Sequence, residues 1–185
     1  MISLFGFGGL LLSFLLSIII IFTYFFQINK FLEKIFYYSI YCSVIFIFIS
    51  FLSLMFAYIN SDFSNFNVFQ NSHSTKPLLY KITGTWGNHE GSMLLWLLIM
   101  TVYNFLFSFN KTLDKQLKKL TIFFQTSLYL CFCSFVIFTS NPFLVNSVDV
   151  NEGLGLNPIL QDPALAIHPP MLYTGYVGFS LVLSL

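Results

Sequence analysis

Apolar residues fall along this chain in long unbroken runs, separated by short lysine-bearing links and two long mixed stretches. A helix needs about 20 apolar residues to cross a bilayer. Four runs meet that length, at roughly residues 2–28, 35–59, 92–109 and 120–138, and each predicts a transmembrane helix. A fifth run opens near Met171 and ends at Leu185, which is marginal for a full span. Such a segment either stops inside the membrane region or belongs to a larger protein. The expected fold is all-α and polytopic. It is a single transmembrane domain over residues 1–185, with about five spans near 2–28, 35–59, 92–109, 120–138 and 171–185 and two long ordered loops. No internal repeat or second domain is visible.

Lysine placement orients the spans. Lys30 and Lys34 occupy the first link, and Lys111, Lys115, Lys118 and Lys119 the third. The long stretches at about 60–91 and 140–170 hold only Lys76 and Lys81. The basic links are therefore expected inside (cytoplasm or matrix), and the long loops outside, with His73, His89 and His168. Loops of this length are usually functional or disordered. Both alternate polar groups with Trp, Leu, Ile and Pro, which predicts ordered segments on the membrane surface.

Composition agrees. The 185 residues are 57% hydrophobic and only 8% charged, against about 25% charged in a soluble domain. A net charge of +1 gives no global electrostatic basis for nucleic-acid binding. Every basic residue is Lys, which rules out an Arg-rich transit peptide, and "MISLFGFGG" lacks the charged start of a signal peptide. The wealth of Phe, Ile, Tyr, Asn and Lys fits an AT-rich organelle genome. No span contains an internal Asp, Glu, Lys or Arg, which argues against a transport pathway. Cys42, Cys131 and Cys133 lie in apolar runs and read as small buried hydrophobes. The "CFC" pair lacks the two-residue gap of redox or zinc motifs.

Two stretches carry candidate chemistry. In "TGTWGNHEGSMLLW", residues 83–96, Gly84, Gly87 and Gly91 permit backbone geometries closed to other residues. Trp86 and Trp96 suit an interfacial aromatic belt. Glu90 suits the first turn of a helix, where it complements the dipole. His89 is either a hydrogen-bonded interfacial residue or a group that meets an anionic or metal-bearing ligand. The second stretch contains Asn-Pro, Asp-Pro and His-Pro-Pro steps, ending in "QDPALAIHPPMLYTGY". A residue before proline is pushed toward extended backbone, and proline suits the first helical turn. Pro169 and Pro170 are therefore expected to open the fifth span, with His168 extended at or just before its start. Imidazole is the commonest side-chain metal ligand, and there it could reach a planar amphiphilic cofactor on the outer leaflet; a structural role is the open alternative. No His-x-x-x-His or Glu-x-x-His spacing predicts a protein-bound zinc.

"TWGNHEGSMLLW", "FTSNPF" and "LNPILQDPALAIHPPMLYTGYVGFS", with "SHS" at residues 72–74, resemble successive blocks of the cytochrome c maturation protein F family, the haem lyases. The blocks cover roughly residues 71–180; the first two spans match only as hydrophobic segments. The resemblance implies an all-helical haem-handling protein that takes haem from a membrane-tethered chaperone. Such a protein helps attach that haem to apocytochrome c on the outer face of the membrane. It implies haem as cofactor, with His168 as an axial ligand to its iron. Trp86, His89 and Glu90 would form a supporting loop, and Asn157, Gln161, Asp162, Pro169, Pro170 and Tyr173 would surround the ligand. The family's tryptophan-rich loop, the second flanking histidine and the histidines of its resident haem b would lie beyond Leu185. The expectation is thus the N-terminal part of a split mitochondrial haem lyase, incomplete alone, with a C-terminal partner bearing the tryptophan-rich loop. The other implied partners are the haem chaperone and apocytochrome c with its thiol-handling protein. The site would be the inner membrane, with long loops in the intermembrane space. The rival expectation is a structural subunit of a larger respiratory assembly. Asn88 replaces a family glycine, and Asn tolerates left-handed backbone, so the turn should survive.

Overall fold

The computed structural model describes residues 1–26, 29–147, 150–155 and 162–185. The described residues form seven helices: α1 (Ile2–Phe25), α2 (Lys30–Ile59), α3 (Phe66–Asn71), α4 (Leu78–Gly84), α5 (His89–Ser108), α6 (Lys115–Phe138) and α7 (Pro163–Ser184). Four of them, α1, α2, α5 and α6, are long and apolar enough to cross a membrane. The protein is an all-helical integral membrane protein, as the hydropathy pattern predicts.

Lipid tails are as apolar as leucine, so helices in a membrane associate through close packing and polar contacts. The face that α1 buries follows that rule, carrying Ser3, Gly6, Gly9, Ser13 and Ser17. A Cβ at Gly9 would lie 2.7 Å from the carbonyl oxygen of Phe46, so the α1 and α2 backbones meet there directly. Above Gly9, the Ser13 hydroxyl bonds that of Ser43 on α2 at 2.8 Å and that of Tyr129 on α6 at 2.6 Å. Leu54, Tyr58, Leu94, Leu97 and Val136 fill the core between α2, α5 and α6. At the lysine-rich end, Glu33 accepts Lys115 at 2.6 Å and Lys119 at 3.3 Å, tying the start of α2 to the start of α6.

At the opposite end the two long stretches pack on each other. The Phe66 N–H donates to the Leu144 carbonyl and the Asn146 N–H to that of Ser64, both at 2.8 Å. Further along, the Leu154 N–H donates to Phe69 at 2.8 Å and the Gly155 N–H to Ser72 at 3.0 Å. Asn65 is fully buried. Its amide donates to the Pro142 carbonyl at 3.0 Å and the Ser3 hydroxyl at 3.1 Å, and its oxygen caps α3 through the Val68 N–H.

The start of α7 corrects the sequence reading. The helix opens at Pro163, not near Met171, so Pro169 and Pro170 lie inside it and His168 is helical, not extended. Asp162 explains the shift. Its carboxylate accepts the Ala164 N–H at 2.7 Å and its carbonyl accepts the Ala166 N–H at 2.9 Å. Asp162 and Pro163 thus supply the capping acid and first-turn proline that the sequence reading assigned to His168 and Pro169.

Candidate functional site

The start of α5 is built on a knot of polar side chains. Asn88 caps the helix, its Oδ1 accepting the Gly91 N–H at 2.8 Å. The same oxygen accepts the amide of Asn67 at 2.9 Å, and the Asn88 amide donates to the Gly84 carbonyl at 2.8 Å and the Tyr58 hydroxyl at 2.9 Å. Tyr58, fully buried, donates to Asn67 Oδ1 at 2.6 Å, and the Asn67 amide also reaches Glu90 Oε2 at 3.0 Å. Glu90 occupies the first turn of α5 as expected, and Asn67 holds it there.

Asn88 is extended, at φ −140° and ψ 169°, so a left-handed turn is not why asparagine works here. It works as a helix cap with an amide to spare. Nor do Gly84, Gly87 and Gly91 serve by unusual backbone angles; among the described residues Gly155 is the only glycine with positive φ. Gly91 serves by having no side chain, since a Cβ there would sit 1.7 Å from the Thr85 carbonyl oxygen.

This knot sets Trp86 against α7. The indole stacks on Phe51, with ring centroids 6.4 Å apart, and its N–H donates to the carbonyl of Ala166 at 2.8 Å. In a regular helix that carbonyl would accept the N–H of residue 170, but Pro170 has none. Trp86 thus meets an acceptor left open by the proline. Between these elements lies a cavity of about 470 Å³, lined by Thr83, Trp86, His89, Trp96, Pro169 and Tyr173 among others. Trp96 packs edge-on against Tyr173 at 5.6 Å, and the Tyr173 hydroxyl lies 3.3 Å from that of Ser92.

The three histidines differ in what they touch. His73 Nδ1 bonds the Thr75 hydroxyl at 2.9 Å and faces Glu152 at 3.8 Å. That carboxylate accepts the hydroxyl and N–H of Ser74 and the N–H of Gly153, and these bonds hold it down at a pKa of about 2. Nearby, burial pushes the Lys76 ammonium down to about 8, while its Nζ donates to the Asn71 carbonyl at 2.8 Å. His89 Nε2 bonds the Ser140 hydroxyl at 3.0 Å and its ring meets Phe135 edge-on. His168 is exposed and has no hydrogen-bond partner among the described residues. It lies two residues past buried Ala166, about 200° round the helix, so it points away from the cavity. Its side of α7 carries Met171, Leu172 and Phe179, at 70%, 52% and 71% exposure.

The structure therefore brings Trp86, His89, Pro169 and Tyr173 to one cavity and leaves His168 on the other face of the same helix. Pro170 acts beside the cavity, through the carbonyl it leaves open. Asp162 caps α7. Asn157 and Gln161 lie outside the described residues. Sequence reasoning missed Asn67, Tyr58, Thr83 and Ala166. The one available signal was Pro170, which marks the carbonyl four residues earlier as needing a donor.

A polytopic helical bundle with a histidine-bearing proline helix beside a tryptophan loop is the class of protein this fold defines. A family described as "Cytochrome C assembly protein" matches residues 86–185. The chain is 54% identical over 136 residues to cytochrome c-type biogenesis protein CycK of Rhizobium meliloti, covering 73% of this chain and 20% of that protein. It is 44% identical over 136 residues to CcmF of Escherichia coli, covering 71% and 21%. A solved structure described as "Cytochrome c Heme Lyase CcmF" superposes on all of this chain and 29% of its own at TM-score 0.84 and 24% identity, which shows a common fold. The chain belongs to the cytochrome c assembly protein family. It spans about a fifth of the length of the curated relatives it matches.

Proposed function

We propose that this chain is the N-terminal part of a haem lyase that works in cytochrome c maturation. It would be split from its remainder and placed in the mitochondrial inner membrane with its long loops in the intermembrane space. Family membership supports the pathway, and the all-lysine composition and basic links support the placement. His168 presents an imidazole to the haem iron. The single observation behind this assignment is that His73 and His89 are engaged in side-chain hydrogen bonds while His168 has none and stands among exposed apolar residues.

The donor set fits haem on one side: histidine is an established haem ligand, and Met171, Leu172 and Phe179 suit an apolar macrocycle. When bound, haem supplies the vinyl groups that become thioether links to cytochrome cysteines. This chain holds and orients it; the remaining ligand and the cytochrome-facing surface come from partner chains. Those would be a C-terminal lyase subunit, a haem chaperone, and apocytochrome c with its thiol-handling protein.

The test is His168→Ala in the complex purified from its own membrane. Loss of haem absorbance beyond that of any haem held by the partner chain, and loss of cytochrome c formation, are the expected results. An unchanged spectrum with unchanged haem transfer refutes the ligand role. Copurification with respiratory subunits and no second lyase chain would favour a structural subunit instead.

A further inference from the structure

Pro170 and Trp86 lie 84 positions apart in sequence yet meet at one atom, the carbonyl oxygen of Ala166. A proline inside a helix removes the donor that the carbonyl four residues earlier would use. A buried carbonyl without a donor is costly, and Ala166 is only 3% exposed. Any donor that reaches this oxygen must come from outside the helix, so it also fixes how far the helix is rotated about its axis. The indole N–H is well suited to this. It is a donor only, and its ring is stacked on Phe51.

Among the described residues, no other side-chain hydrogen bond from outside α7 reaches its first two turns. The next contacts lie lower: Tyr173 meets the Ser92 hydroxyl at 3.3 Å and the Trp96 ring at 5.6 Å, the Tyr103 hydroxyl donates to the Thr174 carbonyl at 2.6 Å, and the Gln125 amide donates to Ser180 at 2.8 Å. In those first two turns the rotation is held by one directional bond from outside the helix, above the anchor at Tyr173. That rotation decides where His168 points, since Ala166 faces the bundle and His168 faces out.

We infer that Trp86 is a positioning residue for His168: its indole N–H fills the acceptor opened by Pro170 and thereby fixes the direction of the imidazole. This rests on the reading of His168 as a haem ligand. It gives Trp86 a role through the helix, without contact with haem, and gives the second proline of the His-Pro-Pro step a purpose beyond breaking a helix.

The test uses Trp86→Phe, Pro170→Ala and the double variant in the purified complex. Trp86→Phe keeps the aromatic stack and removes the donor. Pro170→Ala returns a backbone N–H to Ala166 and competes with the indole. Trp86→Phe is expected to weaken haem binding about 10-fold, the usual scale for losing a group that orients a ligand, and to shift the haem spectrum while the unfolding temperature stays close to wild type. In the Pro170→Ala background the same change should have a clearly smaller effect. Ultraviolet resonance Raman of the indole N–H, read as wild type minus Pro170→Ala so that the unaffected tryptophans of the complex cancel, should show a weaker hydrogen bond after Pro170→Ala. This measurement needs no haem and survives if Trp86→Phe fails to fold.

An indole band indifferent to Pro170→Ala, or additive effects on haem binding, overturns the proposal. If His168→Ala removes the haem signal and Trp86→Phe leaves it intact, positioning alone falls. If His168→Ala is silent, the ligand reading falls and takes the positioning role with it.

Discussion

Asparagine and aspartate are equally good helix caps, so if Asn88 only capped α5, Asn88→Asp would be silent. The knot around it predicts otherwise. The Asn88 Oδ1 atom serves the cap and Asn67, and a carboxylate would keep both bonds. The amide nitrogen faces the Gly84 carbonyl and the Tyr58 hydroxyl. As an oxygen it would oppose Gly84 directly. It could take a proton from Tyr58 only at the expense of the 2.6 Å bond that Tyr58 makes to Asn67. One bond is lost outright, worth about 1 kcal/mol, and a poorly paired acceptor adds about 1–3 kcal/mol. The sum is about 2–4 kcal/mol, or roughly 5–15 °C in melting temperature for a chain of this size. Asn88→Ser keeps a capping oxygen and loses the amide without adding charge, so it should cost less, about 1–2 kcal/mol. The assay is thermal unfolding of the purified chain in one detergent at neutral pH. An Asn88→Asp protein within about 0.5 kcal/mol of wild type, the range of an ordinary surface change, would show that the amide contacts contribute nothing and refute the knot.

Gly91→Ala should force the α5 start off the Thr85 carbonyl and cost about 1–3 kcal/mol as an overpacking change, measurable by the same melt. Glu152 has a folded pKa of about 2, below the ordinary carboxylate value. Its contribution is present above the ordinary value and lost as pH falls from about 4 through about 2. Amide exchange at Ser74 and Gly153 should therefore quicken over that window, and Glu152→Gln should remove the pH dependence. Gln125→Leu breaks the bonds from α6 to Ser180 and Ser184, and at membrane values of about 0.6 kcal/mol each, rising to about 1.7, it should cost about 1–3 kcal/mol in detergent-denaturant titration. No change there would mean that α6 holds α7 by packing alone.

Hydropathy made α1, α2, α5 and α6 legible because membrane insertion depends on local composition, which one run of sequence contains. The first-turn role of Glu90 was legible for the same reason. The onset of α7 was not. Asp162–Pro163 and His168–Pro169 both match a helix start, and local rules cannot rank them. The structure uses the first: Asp162 caps it, and Trp86, far away in sequence, takes up the carbonyl that Pro170 leaves open inside the longer helix. Asn88 shows the same limit. Its replacement of a family glycine looks like a question of backbone angle until Tyr58 and Asn67 arrive from other elements. The short helices α3 and α4 escaped notice as helices because they are too brief for periodicity to show. At the candidate site, the proline step and its histidine were readable, but the separation of His168 from the Trp86 cavity onto opposite faces of one helix depends on where that helix begins.

The serine and glycine stripe of α1 bears on how this protein tolerates mutational drift. Helix pairing through that stripe depends on what is absent from the side chains, and the lipid-facing positions need only remain greasy. A genome biased toward A and T can therefore exchange leucine for phenylalanine or isoleucine on the outer face of α1 at little cost, while Gly9 and Ser13 cannot follow. Residue identity in such a helix is informative at a handful of positions and close to noise elsewhere. Relationships in the first two spans should therefore be sought in the spacing of their small residues.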